Sequence, residues 1–265
     1  VSADVAHRSA WRFVVDGDAE GAFNMGVDEA LLATARDTGR ATLRLYGWRG
    51  PWLSLGYGQR LSPARAEACR AAGVGLVRRV TGGLAVLHGA DLTYAVAAPA
   101  DALPPGLQGS YGLVADALCE AFARLGIGVE RTAARAEPGA SGPRAGFDCF
   151  AVPAADELLA GGRKLAGSAQ RRAGGAVLQH GSVRLAPDPP AAAAAAGLDP
   201  ARATSVAELG GNPDRDAVAK AVRAGFEAVL APLGVSLREG FLEDHERAQA
   251  LHRGEAPVRE GSGSS

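Results

Sequence analysis

Lysine is nearly absent from this 265-residue chain: of 28 basic residues, only Lys164 and Lys220 are lysine, and the rest are arginine. In such a background a lysine marks a place that needs an amine rather than a guanidinium. Net positive charge is also lacking. The formal charge is −1 at pH 7, which argues against a nucleic-acid binder driven by bulk charge. No apolar run approaches the ~18 residues of a membrane span, so no membrane partner is expected. The alanine run at 191–196 is too short and is flanked by proline. Cysteine occurs three times, as Cys69, Cys119 and Cys149. With no CxxC pair, neither a disulfide framework nor a zinc ribbon is supported, and a reducing cytoplasm is the expected location. The phosphate-loop, HExxH, GxSxG and GxGxxG signatures are missing too, which removes the simplest ATPase, zinc-protease and α/β-hydrolase readings. No metal and no cofactor are expected.

What is present suits a sizeable core. Hydrophobic residues make up 47% and charged residues 22%, enough to fold without disulfides or metals at this length. No internal repeat or interdomain linker divides the chain. One domain is expected over 11–253, followed by a flexible tail at 254–265. A first helix is expected from an N-cap at Asn24 to Gly39, with strands over 42–48 and 52–57. Ser62-Pro63 opens a second helix, which Gly73 ends. A strand over 75–80 runs into Thr81-Gly82-Gly83, and 84–88 with 92–97 read as a hairpin or meander. Ser110 is expected to cap a helix that Gly126 stops, followed by a Gly/Pro-rich loop over 133–146. Strands near 157–160, 163–170 and 176–185 are joined at Gly-Gly turns. A loop holding the alanine run leads to a long helix over 212–233 and a short charged helix over 241–253. Regular βα alternation is missing. The expected class is α+β, with a mixed, mostly antiparallel sheet flanked by helices.

Four segments bear chemistry. In the run from Arg78 to His88, Gly82 and Gly83 at a strand end would let backbone N–H groups approach a ligand, and Arg79 beside them suits an anionic or carbonyl group. A plain turn with surface arginines is the simpler alternative. In the run from Arg163 to Gln170, strand alternation would project Lys164, Ala166, Ser168 and Gln170 from one face above a floor of small residues. A solvated edge strand is the alternative, and the scarcity of lysine weighs against it. Cys149 stands at the exit of the Gly/Pro-rich loop, where a thiol is reactive if a cation is near. Cys69 and Cys119 fall inside helical patterns and read as small buried hydrophobes. His180, in Leu178-Gln179-His180-Gly181-Ser182, could be a base, an orienting donor or a core histidine.

Taken in order, five segments resemble the biotin/lipoate protein ligase superfamily over roughly 11–240. They are Asn24-Met25 with Asp28-Glu29-Ala30-Leu31-Leu32, the run from Leu53 to Gln59, the run from Arg78 to His88, the run from Gly162 to Arg172, and the run from Leu178 to Ser182. Cys149-Phe150, Gly167-Ser168-Ala169-Gln170 and Leu178 to Ser182 resemble the octanoyltransferase (LipM-type) branch. Ligases of the superfamily carry a third glycine after Gly82-Gly83, where this chain has Leu84, which speaks against an adenylate site. The resemblance implies the superfamily's α+β catalytic domain and an acyltransferase. Octanoyl would pass from acyl carrier protein to a lysine of a lipoyl carrier domain, such as the glycine-cleavage H protein or a dehydrogenase E2 domain. It implies that Cys149 carries the acyl group as a thioester and that Lys164 lowers the pKa of that thiol. Arg79, Thr81, Gly82, Gly83, His88, Gly167, Ser168, Ala169 and His180 would bind substrate, with backbone N–H groups near Gly82-Gly83 or Gly167 stabilising the oxyanion. Arg78, Arg79, Arg163, Arg171 and Arg172 would offer a docking face to an acidic carrier. An ATP-dependent lipoate–protein ligase and a non-catalytic acyl- or biotinyl-binding module remain the alternatives.

Overall fold

The computed structural model describes residues 10–132 and 157–254. β1 (Ala10–Ala19) leads into α1 (Gly21–Thr38), which Gly39 ends in the left-handed conformation (φ 73°) that glycine adopts without strain. β2 (Thr42–Trp48) and β3 (Trp52–Leu55) precede α2 (Pro63–Ala71). The N-cap Ser62 of α2 accepts from the Arg65 N–H, as the Ser-Pro signal predicts. Next come β4 (Gly75–Arg78), β5 (Val86–His88), β6 (Asp91–Pro99), α3 (Gly106–Arg124) and β7 (Glu130–Arg131). β8 (Leu158–Ala160), β9 (Arg163–Ala173) and β10 (Ala176–Arg184) form a meander, followed by α4 (Pro190–Ala196), α5 (Arg215–Leu230), β11 (Ser236–Glu239) and α6 (Asp244–Gly254).

Eight strands build a sheet in the order β11-β1-β2-β6-β10-β9-β8-β7. β1 is parallel to both of its neighbours, and the remaining pairs are antiparallel. The expected α+β class and mixed, mostly antiparallel sheet therefore form. A second sheet, β4-β3-β5, lies apart from it. This corrects the hairpin expected over 84–97. β5 pairs with β3 in the small sheet, whereas β6 sits between β2 and β10 in the large one. Gly89 (φ 126°) makes the turn between them, and its N–H donates to the Asp91 carboxylate.

Alternation along β2 divides the core. Leu43 and Leu45 join the cluster under α3 and α5, while Tyr46 and Trp48 join the one under α1. A third cluster packs Leu53 and Leu55 with Cys69 of α2 and Ala192, Ala193 and Ala196. The alanine run is thus helix α4 rather than loop, because its apolar face has α2 to bury against. Two caps are also corrected. Asn24 lies inside α1, buried, with its amide donating to the Gly47 carbonyl. Ser110 lies one turn inside α3, where its hydroxyl donates to the Gly106 and Leu107 carbonyls. The expected loop at 133–146 lies outside the described residues, as does the expected tail beyond Gly254. Among the described residues no helix is long and apolar enough to cross a membrane.

Candidate active site

The sheet face under α1 carries small side chains across neighbouring strands. Read across in register, Gly167 of β9 stands opposite Ser182 of β10, then Thr93 of β6, then Tyr46 of β2. Two residues along each strand, on the same face, the next row is Ala169, His180, Ala95 and Arg44. At the usual strand spacing each row spans roughly 14 Å. Gly167, Ala169 and Ala95 leave a groove above the sheet. Met25 of α1, Ser54 of β3, Val86 and His88 of β5, Arg79 and Trp48 wall it.

Strict alternation in β9 would place Lys164 on the face shared by Ala166, Ser168 and Gln170, and the structure corrects this. Leu158 pairs with Ala166 but Leu159 pairs with Lys164, so β9 advances two residues for one of β8, a bulge at Leu165. The bulge turns Lys164 to the groove side, where its Nζ would lie 2.6 Å from a Cβ on Gly167. Lys164 is 2% exposed and forms an ion pair with Glu157, just ahead of β8. β9 lies between β8 and β10, so the solvated edge strand is excluded. Ser168 and Gln170 face the other way. The Ser168 hydroxyl bonds to the Tyr94 hydroxyl, and the Gln170 amide donates to Gln179 and Ser110. Ser168 therefore does not offer its hydroxyl to the groove.

The segment from Arg79 to Gly83 closes the groove from the small sheet. The Arg79 guanidinium donates to the carbonyl and hydroxyl of Ser54 (2.8 Å each) and to the carbonyls of Gly82 (3.1 Å) and Leu84 (2.9 Å). Arg79 is buried, which corrects its assignment to a docking surface: it shapes the turn from within. Gly83 (φ 90°) faces Ala169, since a Cβ on it would stand 3.8 Å from the Ala169 Cβ. Ala169 and Gly167 are roughly 7 Å apart along β9, so the Gly82-Gly83 turn lies near the part of β9 that Lys164 approaches.

Two buried histidines anchor this segment and the groove floor. His180 Nε2 lies 2.7 Å from the Thr81 hydroxyl, and His180 Nδ1 lies 2.7 Å from Asp28 Oδ2. Burial pushes the His180 pKa down, joined by the charges of Arg79 and His88 and opposed by Asp28. The neutral ring donates from Nδ1 to the carboxylate and accepts the Thr81 proton at Nε2. Asp28 also accepts from Arg44 (3.1 Å) and the Tyr46 hydroxyl (2.9 Å). Both ring nitrogens of His180 are thus engaged within the protein. His88 places Nε2 2.8 Å from the Ser54 hydroxyl and Nδ1 2.8 Å from Asp91, and its ring stacks on Trp48 at 4.0 Å. Asp91 further accepts from Ser182 (2.7 Å) and Thr93 (3.0 Å). Burial raises the Asp91 pKa, but His88 and the hydrogen bonds outweigh it and leave the pKa lowered. Both histidines line the groove with their ring nitrogens engaged by the protein.

Asp91 and Glu157 were missed by sequence reasoning, and Asp28 and Ser54 entered it only through family motifs. The signal available for Asp28 and Asp91 was a carboxylate at an otherwise apolar helix or strand position. Cys149 lies outside the described residues. Burial pushes the thiols of Cys69 and Cys119 up, as suits the expected inert hydrophobes. Among the described residues no cluster of His, Cys, Asp or Glu could hold a metal ion.

The family model for the lipoyl protein ligase A/B catalytic domain matches residues 20–227. Octanoyltransferase LipM of Symbiobacterium thermophilum is 37% identical over 262 residues, covering 91% of this chain and 92% of that protein. Octanoyltransferase LipM of Kyrpidia tusciae is also 37% identical, covering 91% and 93%. In fold the chain is similar to a lipoate-protein ligase A bound with ATP, with a TM-score of 0.76 and 22% identity over 93% of this chain and 94% of that one. The chain belongs to the lipoyl protein ligase A/B catalytic domain family, in its octanoyltransferase LipM branch.

Proposed function

We propose that this chain, an octanoyltransferase of lipoate biosynthesis, works through a thioester on Cys149, loaded from octanoyl-acyl carrier protein and discharged to a lysine of a lipoyl carrier domain. The acceptor is the glycine-cleavage H protein or a dehydrogenase E2 domain, and a single catalytic domain over 11–253 does the work in the cytoplasm. The observation that carries the reading is the Lys164 amine, buried at one end of a groove floored by Gly167 and Ala169. An ordinary thiol, with a pKa of about 8.5, is a few per cent thiolate at pH 7, and an adjacent ammonium raises that fraction.

The Cys149 thiolate attacks the carbonyl carbon of the donor thioester. The tetrahedral intermediate expels the carrier's thiolate, which takes up a proton. The neutral amine of the acceptor lysine then attacks the acyl-enzyme. Cys149 leaves as thiolate, the amine loses a proton, and an amide remains. No adenylate is formed, so neither ATP nor magnesium is required. Thr81, Gly82, Gly83 and Ala169 bind the acyl end of the substrate, with Arg79 and His180 holding that turn in place and His88 bracing Ser54, which Arg79 also contacts. The partly exposed Arg78, Arg163 and Arg171 and the exposed Arg172 meet the acidic carrier.

The test is incubation with octanoyl-acyl carrier protein and a lipoyl domain without ATP, read by mass spectrometry. An octanoyl gain on the domain is expected. With the donor alone, the label should sit on the Cys149 peptide and be removed by hydroxylamine. Strict ATP dependence with a detectable acyl-adenylate, or full transfer by Cys149→Ser, would overturn the reading.

A further inference from the structure

We propose that Glu157 is a positioning residue of this site: its carboxylate holds the Lys164 amine over Gly167 as a charged, directed donor to the groove. The kinetic consequence rests on the octanoyltransferase reading, whereas the charge relationship does not. Glu157 lies immediately before β8 and Lys164 is the second residue of β9, so the Gly161-Gly162 turn folds the two against each other. The side chains are 3% and 2% exposed. Burial by itself drives an amine to its neutral form, and a contacting carboxylate reverses that. The backbone aims the side chain, and Glu157 anchors its tip. The bulge at Leu165 sets the side chain's direction, the Thr204 N–H holds the Lys164 carbonyl at 2.9 Å, and Gly167 leaves room for the amine.

The charged and titratable groups around the groove come from several elements. Glu157 approaches from the β8 side, His180 stands on β10, His88 on β5, and Arg79 beside the small sheet. Arg79 and any imidazolium would favour the neutral amine, and Asp28 and Asp91 are committed to the two histidines. Among the described residues, Glu157 is a carboxylate in contact with Lys164.

The lysine scarcity supplies a clean readout. Protein grown with 13Cε-lysine gives two lysine resonances, and Lys164→Arg assigns them. In Glu157→Gln the Lys164 titration midpoint should fall by about one pH unit or more, with that of Lys220 unmoved. Octanoyl transfer should lose roughly tenfold or more in kcat with little change in the acceptor KM. Glu157→Asp should restore part of both. If Glu157→Gln does not fold, Glu157→Asp alone should still lower the Lys164 midpoint by a smaller amount. An unmoved Lys164 midpoint in a folded variant overturns the proposal. A moved midpoint in a protein that lacks ATP-free octanoyl transfer upholds the pairing and sinks the transferase reading instead.

Discussion

Gly56 is packed against the carbonyl group of Gly83: a Cβ on Gly56 would overlap that oxygen and stand 2.9 Å from its carbon. The contact is backbone to backbone, so neither side can yield by turning a rotamer. The Tyr57 N–H donates to the Thr81 carbonyl at 2.8 Å, and the Arg78 guanidinium donates to the carbonyls of Gly56 and Gln59. The segment over 56–59 is therefore a brace for the Gly82-Gly83 turn. Gly56→Ala should cost about 1–3 kcal/mol of stability and at least tenfold in octanoyl transfer. Gly58→Ala, with open space around it, should change neither. Urea unfolding and steady-state transfer rates check both variants.

Gly167→Ala should act differently. The added methyl would meet the end of the Lys164 side chain, a side chain and not backbone, which must shift against its buried partner Glu157. Stability should fall by about 1–3 kcal/mol. Transfer should fall roughly 100-fold, because a displacement of about 1 Å in a reacting group costs that much. A variant with unaltered kcat would show that the Lys164 position is unimportant.

Asp28→Asn should be the most destabilising polar substitution of the site. It weakens the acceptor shared by His180, Arg44 and Tyr46, all buried, and Arg44 keeps Asp16 at 2.9 Å as its remaining carboxylate. A loss of about 3 kcal/mol is expected. Tyr46→Phe, which removes one donor to Asp28, should cost about 1 kcal/mol. Chemical denaturation measures both.

Acid should destabilise the fold in two stages. The folded-state pKa of His180 lies below its ordinary value of 6.5, chiefly through burial. The unfolded chain therefore takes up a proton that the native ring refuses. This contribution is fully present above about pH 6.5 and is lost as the pH falls through that value toward the folded pKa. For Asp91, burial raises the pKa but His88 and its hydrogen bonds win and lower it. Its contribution is present above about pH 4 and lost below that. Urea midpoints should drop between about pH 7 and pH 5, and His180→Asn should flatten that first step. A parent protein with a level profile over this range would contradict the assignment of His180 as a buried neutral ring.

Much of the meander that carries Lys164 was legible in the sequence. Gly161-Gly162 and Gly174-Gly175 all have positive φ and join β8, β9 and β10 where the Gly-Gly pairs predict turns, because turn conformation is a local property. Thr42–Trp48 forms as expected, and its two-residue alternation divides the two cores. Lys164 was singled out by the scarcity of lysine, by its strand pattern and by the family resemblance, and it is buried in the groove. The face it occupies was not legible. A bulge needs a partner strand, and no residue within β9 announces that β8 will pair with it out of step.

The sequence by itself determined most of the elements, the Gly-Gly turns, and the residue types that bear chemistry, because helix, strand and turn preferences act over a few neighbouring residues. Tertiary structure decided which of these residues meet. Asp28 and His180 are 152 residues apart in the chain and meet only once α1 lies over β10, and Ser182 and Asp91 are 91 apart and meet only once β10 pairs with β6. The assignment of β5 and β6 to different sheets was settled in the same way, since strand pairing is a contest among distant segments for backbone hydrogen bonds and apolar cover. Charge pairing in a buried site follows that contest, because a carboxylate or an amine is tolerated inside only where the completed fold brings its partner within reach.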